Sequence, residues 1–185
     1  CALLQINALS SGLDDRDLMV GDFPVSILKI PNHARGPVVV IAHGFSGSRQ
    51  LMAPMATTLA QNGYVALTFD FSGHGDNPVP MAGGVMDLRQ STAALLSDID
   101  KVVDFARGLP EGDGRVAIAG HSMATDLIVK QARRDPSIAA VVALSFFAET
   151  ITPESPRNLL IVDGAWESQR LIDVGLSAVS QTAKT

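Results

Sequence analysis

Residues 38–42, Val-Val-Val-Ile-Ala, are apolar at every position and rich in β-branched side chains, the pattern of a strand covered on both faces. The same unbroken character returns at 64–69, 116–119, 139–144 and 159–162, which predicts five parallel strands. Residues 25–30 differ: they alternate, as a half-exposed strand should, and Pro31-Asn32 closes them with turn chemistry. Between the apolar runs, hydrophobic positions near a 3.6-residue spacing predict helices over 51–61, 91–107, 123–134 and about 167–179. In the second of these, Leu95, Ile99, Val102, Val103 and Phe105-Ala106 form a stripe, and Asp98, Asp100, Lys101 and Asp104 are expected outside it. The connection 72–88, with two prolines and Gly83-Gly84, is the most flexible-looking part of the chain.

Strand and helix alternate with short connections, which predicts an α/β fold: an open, mostly parallel sheet with helices on both faces and right-handed crossovers. In such sheets ligands bind at the carboxyl ends of the strands, so the residues just after each strand carry most of the functional information. A chain of 185 residues that is 46% hydrophobic and 18% charged fits one domain, residues 1–185, with enough apolar surface for a real core. A net charge of -5, with no cluster of Lys or Arg, leaves no electrostatic footprint for nucleic acid. The apolar runs fall well short of the roughly 18 residues that a membrane-spanning helix needs. The single cysteine, Cys1, excludes an internal disulfide framework and a thiolate metal cluster. A first residue other than methionine points to something removed upstream, such as a tag, a targeting segment or an anchor, and localisation stays open.

The chemistry concentrates after the strands. Residues 116–119 run into Gly120-His121-Ser122-Met123-Ala124, followed at once by a helical pattern. A serine on so sharp a strand-to-helix turn has its hydroxyl lifted above the sheet edge, and the strained backbone tolerates only small neighbours two residues away. Gly120 and Ala124 satisfy that. An ordinary turn with Ser122 as helix N-cap accounts for the same five residues taken alone. Two further segments shift the balance: residues 38–42 lead into His43-Gly44-Phe45-Ser46-Gly47-Ser48, and the next strand ends in Asp70-Phe71-Ser72-Gly73-His74-Gly75.

Together these segments, spanning roughly 25–167, resemble the α/β-hydrolase superfamily, and in particular serine esterases similar to dienelactone hydrolases. The family's nucleophile elbow reads Gly-x-Ser-x-Gly, from which this chain departs by Ala124. The resemblance implies that Ser122 is the nucleophile, that the backbone amides of Phe45 and Met123 form an oxyanion hole, and that the 70–75 loop packs beneath the site. It also places the acid of a triad three residues after the glycine that ends the last strand, at Glu167. Asp163, at the strand end, and Glu149, after the preceding strand, compete for that role. The family supplies its histidine downstream of the acid, whereas His33, His43, His74 and His121 all lie upstream. The expectation is therefore a domain that stops before its final strand and histidine loop. His43, His74 and His121 read as hydrogen-bonding groups of the structure, and no pair of histidines has metal-ligand spacing.

The stretch between Ser145 and Leu159 is too short for an inserted helical cap, so Ser122 is expected in a fairly open cleft, with Phe45, Met123, Phe146, Phe147 and Trp166 as candidate lining. Two functions follow. One is a serine hydrolase that cleaves carboxylic esters or related acyl bonds through an acyl-enzyme on Ser122, with a small-molecule substrate, no cofactor and no metal; these residues alone would then be weakly active or inactive. The other is a catalytically inactive α/β-hydrolase-like binding domain that has kept the fold and lost the base. Neither fixes the substrate or the oligomeric state.

Overall fold

The computed structural model describes residues 10–147, 156 and 158–182; Cys1 and Glu149 lie outside the described residues. In chain order the elements are β1 (Asp14–Val20), β2 (Phe23–Lys29), β3 (Gly36–Ala42), a 3-10 turn (Arg49–Met52) leading into α1 (Ala53–Gln61), and β4 (Val65–Phe69). Then follow α2 (Leu88–Arg107), β5 (Gly112–His121), α3 (Ala124–Arg134), β6 (Val141–Leu144), β7 (Leu159–Val162) and α4 (Gln169–Thr182). The strands form one sheet in the order β1-β2-β4-β3-β5-β6-β7. From β4 to β7 all neighbours are parallel, so the five apolar runs are the five parallel strands. β1 and β2 add an antiparallel edge.

The continuous apolar pattern of β3 has a direct cause. Val38, Val40 and Ala42 face a large core shared with Ile99, Val102 and Ile128 of α2 and α3, whereas Val39 and Ile41 face a smaller core under Ala56 and Ala60 of α1. With both faces covered, no position along the strand has a reason to be polar.

Three expectations are corrected. The alternating segment at 25–30 forms β2, but it is largely buried, because Val25 and Ile27 face the large core and Leu28 the smaller one. Before it, Asp14-Asp15-Arg16-Asp17 open the exposed edge strand β1, which no apolar run predicts. Asp98 is not on the outer face of α2; it is buried and accepts the Ser72 amide at 3.0 Å, and burial pushes its carboxyl above the usual carboxylate range while that amide partly offsets the rise. The helix itself starts earlier than its apolar stripe, because the Asp87 side chain caps it by accepting the Gln90 amide at 3.0 Å.

The strand order positions the site. β3 connects through α1 to β4 on one side, and the chain then crosses back to place β5 on the other side of β3. The connections leaving β3 and β5 therefore diverge, and a crevice opens between their carboxyl ends. Those ends are His43-Gly44-Phe45 and His121-Ser122.

Candidate active site

Ser122 has φ 52°, in the left-handed region that non-glycine residues rarely adopt, between the last residue of β5 and the start of α3. Bonds on both sides hold it there. Its amide donates to the Leu144 carbonyl of β6 at 3.0 Å, and its own carbonyl accepts the Thr125 amide at 2.8 Å. The small flanking residues have a measurable reason: a side-chain carbon on Gly120 would come within 3.0 Å of Ile128 and 3.1 Å of the Ala124 backbone. Ala124 is itself fully buried, so its methyl group already fills the available space.

The loop after β3 rests against this turn. A side chain on Gly44 would stand 3.1 Å from the Ser122 Cβ and from the His121 ring and carbonyl, so only glycine lets the two backbones approach this closely. The approach brings Phe45 and Met123 to the same opening as Ser122. Among the described residues, neither the Phe45 amide nor the Met123 amide is donated to another group.

The loop is locked from below. Asp70, fully buried at the end of β4, pairs with Arg49 and accepts the backbone amides of Arg49 at 2.6 Å and of Asp76 at 3.0 Å. A side chain on Gly75 would run into the Asp70 carboxylate, which explains the last glycine of the 70–75 segment. His43 lies beneath Phe45: its Nε2 accepts the Phe71 amide at 3.2 Å, so Nδ1 carries the proton and donates to the Gly44 carbonyl at 2.8 Å. Burial pushes the His43 imidazole below its ordinary value, so it stays neutral. His74 bonds the Ser72 carbonyl at 3.0 Å, and its ring stacks edge-on near Phe45 at 6.1 Å. His33 lines a separate cavity at the opposite, amino-terminal end of β3 and β4.

Ser122 opens into a cavity of about 490 Å3, within the range of small-molecule sites. Phe45, Met123 and Phe147 line it as expected. Phe146 does not: only 1% exposed, it packs into the large core, because it follows β6 on the inward side. Trp166 is fully exposed and lies away from the cavity. The far wall consists of residues that the sequence did not single out: Met81, Val85 and Leu88 from the long connection, Leu95 of α2, and Leu127, Asp126 and Lys130 of α3. The 72–88 connection thus forms a side of the cleft. Its fold is visible in the Gly73 amide, which donates to the Val79 carbonyl at 2.7 Å and turns the chain back towards Phe45.

Neither carboxylate candidate from the β7 end lines this cavity. Asp163 accepts the Phe146 amide at 2.7 Å and packs against Gly175 of α4, so it ties β6 to β7. Glu167 is half-buried in the turn closed by its own amide on the Gly164 carbonyl at 3.0 Å, and no described residue donates to its carboxylate.

With this geometry in view, the comparisons with known proteins are informative. The sequence model of the family described as serine aminopeptidase, S33 matches residues 33–163, well over half of the chain. The chain belongs to this family of α/β-hydrolases. The matched span contains the Gly44–Phe45 loop, the Asp70 loop and the Ser122 turn. An uncharacterised protein of Mycobacterium tuberculosis is 30% identical over 112 residues, 60% of this chain and 37% of that protein. The chain thus covers little more than a third of the length of that curated relative. Among solved structures, a Klebsiella pneumoniae protein assigned as a dienelactone hydrolase superposes with a TM-score of 0.68 at 17% identity, covering 92% of this chain and 82% of its own. An epoxide hydrolase from Vigna radiata gives 0.57 at 22% identity, covering 78% and 43%. At these identities the structural matches establish the α/β-hydrolase fold. Among the described residues no helix is long and apolar enough to cross a membrane.

Proposed function

We propose that this chain is the nucleophile-bearing part of a serine hydrolase that cleaves carboxylic esters or related acyl bonds through an acyl-enzyme on Ser122. The observation that carries the reading is the left-handed backbone of Ser122 on a strand-to-helix turn that opens into a cavity of about 490 Å3. A strained serine at the mouth of an apolar pocket has a stated chemical use, because strain of this kind persists where the surroundings over-determine it. The undonated amides of Phe45 and Met123 flank the serine, and in this reading they hold the oxyanion of the tetrahedral intermediate, removing which typically costs about 10²–10³ in rate. Glu167 is the acid of the triad: the rival Asp163 is already engaged with the Phe146 amide, whereas the Glu167 carboxylate is available to orient a histidine.

The four histidines of the chain do not suit the base. His43 is bonded at both nitrogens, His74 is held on Ser72, His33 lies at the other end of the strands, and the His121 ring packs against Gly44. The proposal accordingly assigns the base to a histidine outside these 185 residues. The substrate is a small ester or acyl compound, and no cofactor takes part.

A fluorophosphonate probe tests the nucleophile without requiring turnover. In a longer form that supplies the histidine, the expected result is one label per chain, found on the Ser122 peptide by mass spectrometry and lost in Ser122→Ala. Hydrolysis of p-nitrophenyl acetate by the 185-residue chain should be feeble, and a longer form that supplies the histidine should exceed it by about 10³-fold or more. A longer form that turns over ester equally well with and without Ser122 would overturn the reading in favour of a binding domain.

A further inference from the structure

The cavity wall contains one ion pair. Lys130 and Asp126, four residues apart on α3, are bonded to each other and both line the pocket that holds Ser122, whose remaining wall is mainly apolar. Small-molecule pockets are mainly apolar, with a few polar or charged groups that fix the orientation of the ligand.

The two charges are not equally available. The Asp126 side chain is 14% exposed and that of Lys130 is 31% exposed. Asp126 stands in the first turn of α3, where the helix dipole favours a negative charge, and it already holds the ammonium. Lys130 gives one of its three N–H donors to Asp126, which leaves two for another acceptor. Thr92, at the start of α2, adds a hydroxyl to the same wall. A cationic group entering here would meet the ammonium first, whereas an anionic group would find free donors.

Lys130 lies on α3, which starts two residues after Ser122, and lines the same cavity as the serine. Leu95, Leu127 and Phe147 supply apolar surface within the same cavity.

We infer that Lys130 selects acyl substrates that carry a second carboxylate, such as monoesters of dicarboxylic acids. The inference rests on the reading of Ser122 as nucleophile only for the direction of the ester; recognition of the distal carboxylate is a separate property of the pocket. A carboxylate on Lys130 forms charge-assisted bonds in a partly desolvated wall, where they are strongest.

Binding of the acids themselves tests this without catalysis. Titrations of adipate and hexanoate, followed by NMR chemical shifts of the Phe45 and Met123 amides, should give a dissociation constant about tenfold lower for adipate. Lys130→Gln should abolish the preference, Lys130→Arg should retain most of it, and Ser122→Ala should leave it intact. Equal affinity for the two acids in the unmodified chain, or a preference that survives Lys130→Gln, would overturn the inference. Failure of fluorophosphonate labelling in the longer form with the adipate preference intact would instead count against the nucleophile and leave the Lys130 site standing.

Discussion

The two sides of the Ser122 turn are built differently. On the β3 and β4 side the strands are covered on both faces, and the loops leaving them are locked by fully buried polar groups, Asp70 with Arg49 and His43 between Gly44 and Phe71. On the β7 side, among the described residues, only one face is covered. Leu159 and Ile161 pack into the large core with Val174 and Ala178 of α4, whereas Leu160 and Val162 on the other face are 57% and 46% exposed. By this contrast the proposed oxyanion loop and proposed nucleophile are held by buried groups, while the proposed acid, Glu167, follows a more lightly held strand.

The largest effect should come from the buried pair. Asp70→Ala leaves Arg49 with the exposed Asp76 as its ion partner and strips two backbone amides of their acceptor, so a loss of about 3–5 kcal/mol is expected in urea denaturation. A loss below about 1 kcal/mol would mean that the two sides are equally tolerant, and the comparison would fail.

Glycines offer a matched test. Gly44→Val places side-chain carbon against Ser122 and His121, costing about 1–3 kcal/mol and slowing fluorophosphonate labelling of the longer form. Gly164→Ala, on the acid side, meets nothing closer than the Glu167 side chain at 3.7 Å and should change stability by no more than about 0.5 kcal/mol. Similar losses for the two variants, followed by thermal melting, would remove the claimed asymmetry.

A smaller effect is expected from pH. Burial lowers the His43 pKa in the folded chain below the ordinary 6.5, so the unfolded chain binds the proton first as pH falls. His43 therefore contributes stability that is present above about pH 6.5 and is lost as the pH drops towards its folded value. Urea midpoints at pH 7.5 and 5.5 should differ in that direction, and the difference should shrink in His43→Gln. His33→Gln, whose imidazole lies at the other end of the strands, should leave it unchanged. The smallest change belongs to the open face of β7: Leu160→Ser should lie within about 0.5 kcal/mol of the unmodified chain. A larger loss would show that this face is covered in solution.

The elbow was legible in the sequence because its requirements are local: a strand, a turn, a helix, and small residues at fixed offsets. The parallel strands were legible because burial on both faces leaves no polar position to confuse the pattern. β1 was hidden because an edge strand with Asp14, Asp15, Arg16 and Asp17 buries little and has no apolar alternation to display. Asp98 was misplaced because its burial serves the Ser72 amide, a partner 26 residues away that no helical period encodes. Phe146 and Trp166 shared one expectation and met opposite fates, since only the path of the chain after each strand decides which aromatic turns inward. Asp126 and Lys130 stand at the four-residue spacing common to surface pairs, and nothing in that spacing marks a cavity. Only the packing of the 81–88 segment opposite α3 turns that face into a cavity wall.

The bonds of Thr125 have a mechanical consequence. Its hydroxyl lies 2.7 Å from the Ser122 carbonyl and 3.1 Å from that of Phe147, and it accepts the Phe147 amide at 2.8 Å. The Ser122 turn and the Phe147 side of the cleft are thereby riveted to one hinge pin and travel as a single jaw. A cleft with one such jaw can change its gape only through the other, so admission of a bulkier ligand falls to the Met81, Val85 and Leu88 side.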